Sequence, residues 1–335
     1  MTKTGIDAIH YYVPSLVLPL KALAEARGIE YAKLNKGLGL EAMALCDLDE
    51  DVATMAAEAA LNLIKEQAIK PGEIDRIYLG TESALDAAKP TAAYILGIIE
   101  DRLEDRYGPR SLRNCDVIDL TFACIGGVDA LLNSADYIRL NPNQKAILIA
   151  ADKALYELGS TGEYTQGAGA VAMSITANPR FLSLDPRFGV ATKSEHDFFK
   201  PRRVFDKAAL LESAASLTGN TINASDIDLL LDSTNHPFWG SDKRKIEVFN
   251  EEPVFDGPYS NDCYVARTSE ALNHLESKKP GLNILEEWDA MVFHLPYAFQ
   301  ARRMFTEMWL ERLPQSEIQL LSEELEVESG ERSNW

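Results

Sequence analysis

From Gly5 to Ile175, apolar positions fall into short β-type runs separated by stretches with helical spacing. Val52, Met55, Ala56, Ala59 and Leu63 recur at helical intervals and predict a helix over Asp51–Gln67, broken by Pro71-Gly72. Arg76–Gly80 and Asp116–Thr121 predict strands, and Gly126-Gly127 opens a helical stretch reaching Ile138. Ala146–Ala151 and Ala168–Ile175 predict two further strands, the second entered through a Gly-rich turn. This alternation is the mark of a layered α/β domain.

Beyond it, Pro179–Arg203 combines prolines and charges and predicts a linker or surface excursion. The pattern then resumes. Asp206–Leu217 predicts a helix, and Ile227–Leu231 a buried strand running into His236. Glu270–Leu275 predicts a helix, and Ala290–Phe293 a strand running into His294. Two such helix–loop–strand–His units suggest an internal repeat of low identity. Pro314–Trp335 carries six glutamates against one arginine and predicts a solvated helix or tail. The expected organisation is a first α/β half over residues 1–178, a second half over 179–313 and an acidic tail over 314–335.

Charge and composition narrow the function classes. The 335 residues carry 33 Lys and Arg against 52 Asp and Glu, a net charge of −19. With 46% apolar and 25% charged residues this is a globular composition, long enough for one large domain or two ordinary ones. Nucleic acid is a poor match as main partner, because phosphate contacts need clustered basic residues. No apolar run reaches the roughly 18 residues of a membrane span, and the first residues lack a cationic segment followed by a long apolar one. Cys46, Cys115, Cys124 and Cys263 are scattered without metal-site spacing, so free thiols in a cytoplasmic protein are expected.

Glu82, Cys124 and His294 each stand at the end of a predicted strand. Ligands of open α/β sheets bind at the carboxyl ends of strands. A thiol at a helix start is favoured as thiolate by the helix dipole, and a histidine can stabilise it or orient a carbonyl. A carboxylate screened from water can exchange protons with carbon acids. Together the three suit acyl transfer followed by carbon–carbon bond formation. Singly, each is more often structural: a small buried thiol, a helix cap, a hydrogen-bonded histidine.

Five motifs weigh the balance. TESALDAAKP, CDVIDLTFACIGGVDAL, GSTGEYTQGAGAVAMSI, FDGPYSNDCY and FHLPYAFQARR occur in the order seen in 3-hydroxy-3-methylglutaryl-CoA synthases of the thiolase superfamily, which the chain resembles from Gly5 to about Phe305. The resemblance implies a thiolase-like α/β fold of two related halves with mixed β-sheets and layered helices. It implies condensation of acetyl-CoA with acetoacetyl-CoA to 3-hydroxy-3-methylglutaryl-CoA, towards mevalonate and isoprenoids, with no metal or redox cofactor. Cys124 matches the nucleophile that carries the acetyl group, Glu82 the general acid/base, and His294 the residue that positions the acetoacetyl thioester. Gly167 and Gly169 match a close approach of the backbone to the cysteine. Arg302 and Arg303 match basic positions for the CoA phosphates, while Asp152, Tyr156, Thr165 and Ser260 fall in family-like stretches lining the substrate pocket. A homodimer is expected.

The sequence also departs from the family. Val204–Asn250 has no counterpart between DFFKP and FDGPYS, and its His236 resembles the histidine of ketoacyl-carrier-protein synthases, a rival to His294. The later Asn-containing and Gly/Ser-rich motifs of the family are not visible, so the second half is expected to be incomplete. Two further readings follow: a β-branching synthase of polyketide assembly fed by an acyl carrier protein, and a non-catalytic or incomplete thiolase-fold subunit that relies on another chain.

Overall fold

The computed structural model describes residues 3–232 and 244–324. Two compact units emerge, Met1–Lys193 with Asn261–Trp335, and Ser194–Ser260.

The first unit is built on strands β1 (Thr4–Tyr12), β2 (Leu16–Pro19), β3 (Ala42–Leu45), β4 (Ile74–Gly80), β5 (Asp116–Leu120), β6 (Lys145–Ala154), β7 (Gly167–Ala177) and β8 (Leu182–Ser183). Helices α1 (Leu20–Arg27), α2 (Tyr31–Leu38), α3 (Val52–Glu66), α4 (Thr91–Tyr107) and α5 (Gly126–Leu140) alternate with them. Six strands form one mixed sheet in the order β5-β4-β6-β7-β1-β8. The β5, β4 and β6 strands run parallel, whereas β7, β1 and β8 pair antiparallel. β2 and β3 form a separate two-stranded ribbon.

The centre of the sheet is buried on both faces, which is why Ile77–Gly80 of β4 and Ala146–Ala151 of β6 read as unbroken apolar runs. Ile77, Leu79, Ile147 and Ile149 point to α3 and α4, while Tyr78, Ala146 and Leu148 point to α5. Alternation along each strand thus feeds two cores from one sequence. α3 forms where its spacing predicts, and its alanines let it lie close on the sheet. Asp51 accepts the Thr54 amide while Thr54 accepts the Asp51 amide, both at 2.8 Å, a reciprocal cap.

Later in this unit come α8 (Gly257–Lys278), α9 (Ile284–Glu287), α10 (Gln300–Leu310) and α11 (Gln315–Glu324). α8 begins in the second unit and far exceeds the short helix expected over Glu270–Leu275. The strand expected over Ala290–Phe293 does not form. These residues are irregular, Val292 is 98% exposed, and no described strand runs beside them. An apolar run becomes a strand only when a partner supplies the ladder. α11 gives the acidic tail its expected helix, and residues beyond Glu324 lie outside the described residues.

The second unit contains β9 (Arg202–Asp206) paired antiparallel with β10 (Lys245–Phe249), and helices α6 (Lys207–Leu217) and α7 (Ala224–Asp232). Asp206 caps α6 by accepting the Ala208 and Ala209 amides. The buried strand expected over Ile227–Leu231 lies instead within helix α7. Asn223 accepts the Asp226 amide at 2.9 Å and starts a helix, and Leu229 is left 72% exposed, as one face of an amphipathic turn requires. His236 lies outside the described residues. The expected mixed sheet with layered helices is therefore found over residues 4–183; from 194 onward the described residues hold one two-stranded sheet.

Candidate active site

Three parallel strands deliver their carboxyl ends to one edge of the sheet, and antiparallel β7 starts at that edge, with Ala154 opposite Gly167 and Asp152 opposite Gly169. Glu82 follows β4, Cys124 follows β5, and Tyr156 follows β6, so one edge collects residues about 75 positions apart in the chain.

The turn that carries Cys124 is shaped by glycine. A Cβ on Gly80 would stand 2.3 Å from the Gly127 nitrogen, and one on Gly126 would stand 2.5 Å from the Leu120 carbonyl oxygen. Their absence lets the start of α5 seat against the end of β4. Ala123, immediately before the cysteine, adopts φ +40°, an uncommon region for a residue with a side chain. Cys124 then lies in a short 3-10 turn that leads directly into α5.

Glu82 is held from the neighbouring strand. The Asp152 carboxylate accepts the Glu82 amide at 2.7 Å and the Thr81 hydroxyl at 2.9 Å. The Ser83 hydroxyl donates to the Lys153 carbonyl at 3.1 Å, closing a second latch between the ends of β4 and β6. Further along the same segment, Asp119 of β5 accepts the Thr91 and Ala92 amides and caps α4. Asp152 thus acts on the backbone beneath Glu82, and its charge acts on the Cys124 thiol.

At Cys124 the structure sets burial and like charge against the helix dipole. Burial, and then the charges of Glu82 and Asp152, push its thiol up to about 12, although its outer surface is exposed. Desolvation and two carboxylates outweigh the favourable contact with its own amide. Tyr156 belongs to the same cluster. Burial and the charges of Glu82 and Cys124 push its hydroxyl up to about 12, and it pairs with the Thr165 side chain. Thr165 in turn donates to the Gly162 carbonyl at 2.8 Å, and the Tyr156 amide donates to Gln166 at 2.7 Å.

The Gly-rich motif leaves unequal room for a side chain. At Gly167 an added Cβ meets nothing within 4 Å, and at Gly169 it makes an ordinary 3.4 Å contact with the Tyr12 carbonyl. The crowded position is Gly162, where a Cβ would stand 2.3 Å from the Tyr156 ring.

On the C-terminal side, the Tyr264 hydroxyl of α8 donates to the His294 carbonyl at 2.7 Å, and the two rings lie 5.9 Å apart at 60°. Burial, and secondarily the Cys124 sulfur, raise the Tyr264 hydroxyl. Burial lowers His294, leaving its imidazole neutral at pH 7. Tyr264 escaped the sequence reading, although it stands in FDGPYSNDCY.

Ser260, in the second unit, donates to Asp197 at 2.5 Å. Arg302 is exposed on α10 with its guanidinium over the Phe299 ring at 4.6 Å. Arg303 follows it on the helix, its side chain outside the described residues. Among the described residues, no group of three or more His, Cys, Asp and Glu side chains is arranged to hold a metal ion.

A cysteine at a tight strand-to-helix turn, set with two carboxylates and two tyrosines at the edge of this mixed sheet, defines a thiolase-like fold with a cysteine-centred site. The family model described as hydroxymethylglutaryl-coenzyme A synthase N terminal matches residues 1–179, and the chain belongs to that family. The hydroxymethylglutaryl-CoA synthase of Haloferax volcanii is 39% identical over 208 residues, 61% of this chain and 46% of its own length. That of Enterococcus faecalis is 29% identical over 299 residues, 89% of this chain and 62% of its own. Among solved structures, MvaS in complex with 3-hydroxy-3-methylglutaryl coenzyme A superposes with TM-score 0.70 at 27% identity, covering 93% of this chain and 64% of that one. The chain therefore spans about half to two thirds of the length of these relatives.

Proposed function

We propose that this chain carries out the hydroxymethylglutaryl-CoA synthase reaction, joining acetyl-CoA and acetoacetyl-CoA through an acetyl group on Cys124. The observation that carries the reading is that parallel strands β4, β5 and β6 deliver Glu82, Cys124 and Tyr156 to one edge of the sheet, together with the Tyr264–His294 pair.

In this reading the resting cysteine is a thiol, and the carboxylates that keep it so supply the base for its proton as it attacks the acetyl carbonyl. Coenzyme A leaves as its thiol, and the acetyl group remains as a thioester. Glu82 then takes a proton from the acetyl methyl group, and the carbanion adds to the ketone carbon of acetoacetyl-CoA. The neutral His294 imidazole holds that ketone through an N–H bond, and the oxygen ends as a hydroxyl. Water cleaves the Cys124 thioester, releasing 3-hydroxy-3-methylglutaryl-CoA with a new carboxylate and restoring the thiol. The sum is two acyl-CoA molecules and water giving one product and free coenzyme A, a step leading towards mevalonate and isoprenoids. Both substrates are thioesters, so no metal or redox cofactor enters.

We favour CoA-bound over carrier-bound substrates, because an acidic carrier protein meets a chain of net charge −19. We also infer a homodimer formed along β5. That strand ends the sheet, and Phe122 beside it is 57% exposed, with Ile118, Ile125 and Val128 also exposed. Four free cysteines suit a reducing cytoplasm; no described helix is long and apolar enough to cross a membrane.

The test is intact mass after incubation with acetyl-CoA, beside Cys124→Ala, followed by acetoacetyl-CoA. An acetyl adduct that needs Cys124 and disappears as product forms supports the reading. A folded chain that never acquires the adduct overturns it. Acetyl on a carrier protein, run in parallel, separates the two donor classes.

A further inference from the structure

We propose that Tyr264 is a positioning residue for His294, its hydroxyl fixing the histidine's backbone and ring beside the Cys124 site; this rests on the function proposed above. Among the described residues, no strand ladder holds the segment around His294. In irregular backbone the direction of a side chain depends on individual tethers, and here the tether is the 2.7 Å bond from Tyr264 to the His294 carbonyl. The ring of Tyr264 also tilts against the imidazole at 5.9 Å, limiting rotation of the histidine on that side.

The tether is only as firm as its anchor, and α8 is well held. His274 Nδ1 accepts the Val190 amide at 3.0 Å, and Lys278 donates to the Phe188 carbonyl at 2.9 Å. Leu272 is buried. The raised Tyr264 hydroxyl keeps its proton throughout the neutral range, so it remains a donor while the cysteine cycles between thiol and thioester. Tyr264 thus acts on the stage that needs His294, capture of the second substrate, and not on acetylation of Cys124.

Tyr264→Phe removes the donor and keeps the ring. We expect Cys124 acetylation within about twofold of the unsubstituted chain. We expect kcat/KM for acetoacetyl-CoA to fall about tenfold, mostly in KM, the loss typical of one positioning hydrogen bond. In a His294→Ala background the same substitution should cost nothing further. Unchanged condensation, equal loss in both stages, or full additivity with His294→Ala would overturn the proposal.

A readout without turnover keeps it distinct from the functional reading. In a chain labelled at histidine Cε1, with the signal assigned by His294→Gln, Tyr264→Phe should move the His294 titration midpoint upward, because a released ring regains water. An unmoved midpoint overturns the tether even if the unsubstituted chain proves inactive. A moved midpoint in an inactive chain upholds the tether while the functional reading fails.

Discussion

Alkylation of Cys124 as a function of pH tests the electrostatics of the site directly. Burial with the charges of Glu82 and Asp152 pushes this thiol up to about 12, against about 8.5 for a free cysteine. At pH 8 a thiol titrating at about 12 is ionised roughly one part in ten thousand, and a free cysteine about one part in four. The outer surface of Cys124 is open to solvent, which screens the two carboxylates and trims this difference. We therefore expect the iodoacetamide rate to climb about tenfold per pH unit from pH 7 to beyond about 10 without a plateau. Cys124→Ala provides the background to subtract. Glu82→Gln removes one charge at nearly constant volume, and at pH 8 alkylation should speed up about threefold to tenfold, the effect of half to one unit in the thiol. A plateau below about pH 9 would show the helix dipole dominating. That result, or a Glu82→Gln chain no faster than its parent, would refute this account.

Three further outcomes follow from the packing. Gly80→Ala drives a Cβ to 2.3 Å from the Gly127 nitrogen; backbone cannot yield cheaply, so thermal melting should show a loss of about 1–3 kcal/mol, with Cys124 acetylation impaired. Ile149→Ala empties a fully buried site under α3 and should lower the urea midpoint by an amount equivalent to about 2–5 kcal/mol. Arg27 pairs at 2.6 Å with Glu163, which is buried and also accepts the Gly159 amide. This pairing holds the Glu163 carboxyl below its ordinary value, so its stabilisation is present above the unfolded carboxyl pKa of about 4.3 and fades as pH falls through the folded value. Arg27→Ala should therefore destabilise at pH 7, and denaturation curves of the two chains should converge in acid.

What could be read along the chain was local. Strands β4 to β7 and helices α3 and α5 appear within a few residues of their expected bounds, because apolar periodicity and Gly or Pro punctuation report directly on local backbone. The misreadings share one cause. Ile227–Leu231 and Ala290–Phe293 are short apolar runs whose state depends on a neighbour: the Asn223 cap turned the first into a helix, and the second found no described partner strand. Tyr264 was missed for a related reason, since nothing around it in sequence indicates that its hydroxyl meets a carbonyl 30 residues onward.

The sequence by itself determined that Glu82 and Cys124 follow strands of a layered α/β domain, and the order of its motifs pointed to the family. Only the tertiary structure decided the chemical state of those residues. The thiol is pushed towards its protonated form because β4, β5 and β6 run parallel and bring Glu82, Cys124 and Asp152 to one edge, where shared burial and like charge oppose ionisation. A pKa is set by distances through space, and the pairing of distant strands fixes those distances.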